Sequence, residues 1–207
     1  MGFLRYVTHP NVEIDPAVPV PEWSLSDVGR RRARALLSQP WIGSVGAIVS
    51  SGETKARETA AVLAAFRRIE IEERPDTGEI DRSSTGFVPP ERHDALAVRL
   101  FAEPERSADG WETAVAAQHR IVAATADLVA DAGEVSEPSP GAGADVVIVG
   151  HGGVGTLLWC HLAGEVIDGR YDQPGQGHYW SFDRSTGRVV HGWWPVDDLD
   201  DPNGAGL

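Results

Sequence analysis

The sequence predicts an α/β fold with a mainly parallel central sheet and helices on both faces, and three observations predict it. Short apolar runs occur at residues 3–7, 45–49 and 145–149, the last of them rich in β-branched residues. The second and third are followed at once by stretches with helical spacing, SSGETKARETAAVLAAF and GHGGVGTLLWCHLAG. A histidine closes the first and third runs, as His9 and His151. Strands alternating with helices pair in parallel, and such sheets bind ligands at the carboxyl ends of their strands. Both histidines fall there.

Each element has its own local reason. Residues 3–7 end in Thr8-His9-Pro10, and the proline-rich NVEIDPAVPVPEW that follows must be a long loop. Ser26 is a helix cap for residues 27–38, with Leu36 and Leu37 inward and Arg30, Arg31, Arg32 and Arg34 on a solvated face. After the strand at 45–49, Ala56, Thr59, Ala60, Leu63 and Phe66 recur with the period of a helix face. Residues 69–73 alternate as a third strand, and 76–90 are a loop rich in Gly, Ser and Pro. Residues 111–132 read as a long helix and 133–144 as a surface loop of linker composition. Residues 177–183 and 188–194 flank RSTG as a hairpin, and 198–207 form a frayed tail. No internal repeat is visible, and the 207 residues, 42% of them hydrophobic, suffice for one core, so residues 1–207 are expected to be a single domain.

Composition narrows the function. A net charge of -13 argues against nucleic acid or an anionic membrane as partner, since both require basic surface. Any site for an anion must therefore be locally positive. No apolar stretch reaches the roughly 18 to 20 residues needed to span a bilayer, and MGFLRYVTHP lacks the pattern of a secretory signal, so a cytoplasmic location is expected. Cys160 is the sole cysteine and sits in apolar LLWCHL, as a core residue rather than a nucleophile. Zinc-type spacings, H-E-x-x-H and a G-x-x-x-x-G-K-[ST] loop are all missing, so neither a metal nor another cofactor is expected. Trp193 and Trp194 mark either a homodimer interface or the cover of a terminal strand.

Covalent phosphoryl transfer needs a nucleophile, a proton donor for the leaving oxygen and positive donors around the transferring group. LRYVTHPNV, IVSSGETKARETA, TGEID and IVGHGGV supply histidine, cation, carboxylate and histidine in that order. With these motifs the chain resembles the histidine phosphatase superfamily, the phosphoglycerate-mutase-like family, over nearly its whole length. LSDVGRRRARAL is similar to that family's first helix, and SSGETKARETAAVLA to its Ser-Ser-x-x-x-Arg-Ala-x-x-Thr-Ala motif. The resemblance implies a phosphoglycerate-mutase-like fold, with His9 as the histidine that is phosphorylated, Glu79 as proton donor and His151 as the second histidine. It also implies phosphate contacts from Lys55 and from the Gly152 N–H at a helix start. Asp76 and Asp81 are the alternative carboxylates, and His178 reads as a rim residue.

The motif also departs from the family. Thr8 stands where the family has arginine, Pro10 where it has glycine, and Lys55 where it has the second arginine. Two planar guanidinium forks become a hydroxyl and a point charge. Thr8 and Asn11 are then the candidate replacement donors, and Arg57 and Arg82 the candidate compensating cations. The expected function is a metal-independent phosphomonoesterase acting through a phosphohistidine on a small phosphorylated metabolite. The alternatives are a weakened or inactive member that binds phosphate esters or regulates, and a phosphoglycerate-type mutase.

Overall fold

The computed structural model describes residues 2–130 and 143–199. Six strands, β1 (Phe3–Thr8), β2 (Val45–Ser50), β3 (Ile71–Glu73), β4 (Asp145–Gly150), β5 (His178–Asp183) and β6 (Arg188–Pro195), form one sheet of order β3-β2-β4-β1-β5-β6. The neighbours among β1 to β4 pair in parallel, while β5 runs antiparallel to both β1 and β6. The helices are α1 (Asp27–Ala35), α2 (Thr54–Arg67), α3 (Pro90–Ala102), α4 (Ala114–Val129) and α5 (Gly152–Ala163).

Successive strand side chains point to opposite faces, and both faces here are covered. Leu4, Tyr6, Val146 and Ile148 pack on the side of α4 and α5, whereas Val7, Val147 and Val149 pack on the side of α2 with Ala56, Ala60 and Leu63. That double burial is why these strands read as unbroken apolar runs. One charged group crosses this interior. Arg5 donates from Nε to Asp145 Oδ2 (2.8 Å) and from Nη1 to Ser181 Oγ (2.8 Å), and Asp145 Oδ1 accepts from the Phe3 N–H (2.9 Å). Every partner belongs to β1, β4 or β5, so the pair fixes the register of three central strands.

The structure adjusts several expected boundaries. The first helix stops at Ala35 and tightens into a 3₁₀ turn over Leu36–Ser38. Arg32 leaves its expected solvated face: it donates to Asn11 Oδ1, the Gln176 and Gly177 carbonyls and both oxygens of Asp197. β3 starts at Ile71 because α2 ends on Arg68 in the left-handed region, with the Ile69 N–H returned to Ala64 O. α3 was not foreseen. Pro90 at its first turn and Leu96 and Leu100 one turn apart, both buried, are the signals it carries.

α4 begins at Ala114, where the Thr113 side chain accepts from the Ala116 N–H. Trp111, expected inside that helix, lies before it and is buried. Thr113→Ala is expected to cost about 1 kcal/mol of stability, read as a shift of the urea midpoint. Residues 133–142 of the expected loop and 200–207 of the expected tail lie outside the described residues. No described helix is long and apolar enough to cross a membrane.

Candidate active site

The carboxyl ends of β1 and β4 are adjacent in the sheet, with Thr8 opposite Gly150, so the residues that follow them must meet. The rings of His9 and His151 lie 5.3 Å apart between centroids and cross at 64°. Backbone bonds fix both ends of the His9 residue: its N–H donates to Gly150 O (3.1 Å) and its carbonyl accepts from Gly177 (3.1 Å). His9 Nδ1 lies 2.9 Å from Pro10 O. A carbonyl only accepts, so Nδ1 carries the proton and Nε2 keeps its lone pair. Nε2 has no partner among the described residues. Burial and then the neighbouring His151 push His9 down from 6.5 to about 3, so the ring is neutral at physiological pH.

His151 is fully buried. Tyr6, beneath it, donates its hydroxyl to His151 O (3.2 Å) and accepts from the His151 N–H (3.1 Å). Gly150 permits that contact, since a Cβ there would lie 2.3 Å from the Tyr6 oxygen. The His151 ring meets Ser51 Oγ (2.6 Å) and Glu53 Oε1 (3.4 Å) at Nε2, while Nδ1 is buried without a partner among the described residues. Burial pushes this histidine down to about 4, against the opposing pull of Glu53.

Glu79 is the one carboxylate of its loop that the structure brings to the cavity; Asp76 and Asp81 are exposed. Its oxygens accept from the N–H groups of Ile80 (3.0 Å), Gly153 (3.3 Å) and Val154 (3.2 Å), the last two at the start of α5. The carboxylate thus takes part of the helix terminus where an anion is favoured. A Cβ on Gly153 would come within 2.8 Å of Glu79 Oε1, so glycine is required for this approach. Gly152 lines the cavity.

Of the two lost arginine positions, Lys55 remains at the site. It is buried and donates to Val20 O (2.9 Å), and it forms a close ion pair with Glu53. Burial would raise Glu53, but His151 and Lys55 outweigh it and hold the carboxyl at about 2. Glu53 was missed from the sequence, although it sits between Ser51 and Lys55 in the most specific motif. Thr8 is a correction. Its hydroxyl is fully buried, donates to Gln173 Oε1 (2.7 Å) and accepts from the His178 N–H (3.0 Å), so it joins β1 to β5 rather than facing a ligand. Its bond to Gln173 leaves that residue's Nε2 as a donor at the cavity wall.

Two further expectations fail. Asn11 spends its side-chain oxygen on Arg32 (3.0 Å) and is not part of the cavity lining. Arg57 pairs with Glu73 (3.2 Å) on the far side of α2 with over half its side chain exposed. Arg82 does reach the cavity: it stacks 5.5 Å over Trp111, its charge is felt at His151, and its guanidinium has no acceptor among the described residues. His178 donates from its backbone to Thr8 and faces Gly175 O with Nδ1 (2.8 Å), a supporting place.

His9 at a strand end, the Glu79 carboxylate at a helix start and the cations Lys55 and Arg82 line one cavity of about 490 Å³, with His151 buried beside His9. The profile of the histidine phosphatase superfamily (branch 1) matches residues 10–181. The chain belongs to the histidine phosphatase superfamily. Several solved structures share its fold. One is mycobacterial glucosyl-3-phosphoglycerate phosphatase with inorganic phosphate, 19% identical, with a TM-score of 0.76 over 96% of this chain and 100% of that one. Another is Bacillus stearothermophilus YhfR, 19% identical, with a TM-score of 0.71 over 93% and 95% of the two chains. A third is a phosphoserine phosphatase from Entamoeba histolytica in complex with phosphoserine, 17% identical, with a TM-score of 0.71 over 92% and 94%. A search of curated proteins finds no significant match.

Proposed function

We propose that this histidine phosphatase hydrolyses phosphomonoesters through a phosphohistidine on His9. The observation that carries the reading is the state of the His9 ring: Nδ1 is held by Pro10 O at 2.9 Å, and Nε2 is left with its lone pair in a group pushed down to about 3. A nucleophilic imidazole must be neutral, and this one is. In the first step Nε2 forms a bond to phosphorus, the ester P–O bond breaks, and the leaving oxygen takes a proton from the Glu79 carboxyl. In the second step water attacks the phosphohistidine, gives its proton back to Glu79, and releases inorganic phosphate with His9 neutral again. Lys55, the Gly152 N–H, Gln173 Nε2 and Arg82 are the donors within reach of the transferring group. No step requires a metal.

On this reading Arg82, a cavity cation with no acceptor among the described residues, takes over the role that position 8 lost in sequence. A clamp acting on developing charge in a desolvated site is worth on the order of 10² to 10³ in rate. Arg82→Ala is therefore expected to lower kcat/KM for p-nitrophenyl phosphate by about 10², while Arg57→Ala leaves it unchanged. Steady-state assays of both variants check this.

One observation favours the second reading, a member that binds phosphate esters and turns them over poorly or not at all. Lys55 is neutralised by Glu53, and Lys55 and Arg82 share the cavity lining with three carboxylates, Glu79, Asp94 and Asp172. The deciding experiment is incubation with p-nitrophenyl phosphate in chelator from acid to neutral pH. Turnover above the His9→Ala control supports the phosphatase; no turnover, with p-nitrophenyl phosphate still binding, supports the binding member.

A further inference from the structure

Resting on the phosphatase reading, we infer that the substrate is the phosphomonoester of a bulky apolar or aromatic alcohol, not of a sugar or a hydroxy acid. The cavity has two unlike ends. Its polar end holds His9, Lys55, Glu79 and Gly152. The remainder is walled chiefly by Val20, Trp23, Phe87, Val88, Leu100 and Trp111, drawn from the loop after β1, the loop before α3, α3 itself and the segment before α4. Trp23 and Phe87 face each other at 5.7 Å with rings tilted by 60°.

Both tryptophans keep their polar edges occupied within the protein. Trp23 Nε1 donates to the Asp15 (2.9 Å) and Val18 (3.0 Å) carbonyls, and Trp111 Nε1 to Thr85 Oγ1 (2.8 Å). The wall therefore offers ring surface and aliphatic surface, with no indole donor left for a hydroxyl. Against this wall a sugar hydroxyl finds no side-chain partner, which costs far more than a missing apolar contact, and the polar lining residues Asp172, Gln173 and Gln176 serve only hydroxyls turned away from it.

A substrate carboxylate fares worse. The cations lining the cavity are Arg82 and Lys55, and Lys55 already pairs with Glu53. With Arg82 on the phosphoryl group, a carboxylate would meet Glu79 and Asp172 instead of a partner. His93 and Asp94, polar lining residues on that side, stand 3.5 Å apart and engage each other. An aryl or alkyl group has none of these difficulties and displaces water from apolar walls.

The test compares esters whose alcohols have similar acidity, so that leaving-group chemistry does not decide the result. Against the full chain, kcat/KM for 2-phenylethyl phosphate is expected to exceed that for ethyl phosphate and for glycerol 3-phosphate by about 10². Phe87→Ala and Trp23→Ala, made separately so that one misfolded variant does not end the test, should each shrink the phenylethyl-to-ethyl ratio by about tenfold. Equal or faster turnover of glycerol 3-phosphate or 3-phosphoglycerate overturns the inference and leaves the phosphatase reading standing. An unchanged ratio in both folded variants also overturns it. No turnover of any ester overturns the phosphatase reading, and the inference with it.

Discussion

His9→Ala is expected to lower kcat/KM for p-nitrophenyl phosphate by at least about 10³, with little loss of binding. The reason is geometric. His9 Nε2 is the nitrogen left bare when Pro10 O takes Nδ1–H, and among the described residues His9, not His151, lines this end of the cavity. His151, the other ring at the site, spends Nε2 on Ser51 and Glu53 and is fully buried behind His9. Without His9 the reaction must proceed by direct attack of water, and the two-step route is lost. Binding depends on Arg82, Lys55 and the apolar walls, which the substitution leaves in place. Separate kcat and KM measurements therefore carry the prediction: kcat collapses while KM moves little.

The second large effect is on stability in acid. His9 and His151 are both buried and pushed from 6.5 down to about 3 and about 4. Below pH 6.5 the unfolded chain takes up both protons while the folded chain does not, so stability rises with pH in this window. The contribution is fully present above 6.5 and is lost as pH falls toward the folded values. Each histidine gives a slope approaching about 1.4 kcal/mol per pH unit, so the pair removes on the order of 4 kcal/mol between pH 6.5 and 4.5. Glu53, held at about 2 from 4.5, acts in the same direction lower down, with stability present above 4.5 and lost as pH falls toward 2. Urea midpoints between pH 7.5 and 4.5 check this. A His9→Asn, His151→Asn double variant should have a much flatter profile, and an equally steep one would assign the acid loss to other groups.

The strand ends that bring His9 and His151 together were legible because each histidine follows a strand with a clear pattern. β1 and β4 are apolar on both faces, so their runs are unmistakable, and each ends in a histidine. Glu79 was legible as one carboxylate among several, and the α5 start selects it through Gly153 and Val154. Arg57 was misjudged although the helix pattern already excluded it. Lys55 and Thr59 share the buried side of α2 with Ala56, Ala60 and Leu63, and a residue two positions on from Lys55 is turned to the opposite side.

Other features depend on partners distant in sequence. Asn11 is claimed by Arg32, and Thr8 by Gln173, 165 residues away. A buried hydroxyl takes the nearest acceptor the fold supplies, and no local pattern names it. Glu53 was missed because only the parallel pairing of β2 with β4 sets it against His151. The apolar wall was invisible for the same reason, since its residues come from four separate segments, one of them the unforeseen α3.

The most direct test of the account is to trap the phosphoryl group. The protein is incubated with p-nitrophenyl phosphate labelled at phosphorus and quenched in alkali, where phosphohistidine survives, and the labelled peptide is mapped. The account predicts label on His9, lost on acid treatment and missing from His9→Ala. Hydrolysis with no label at His9, undiminished in His9→Ala, would contradict it.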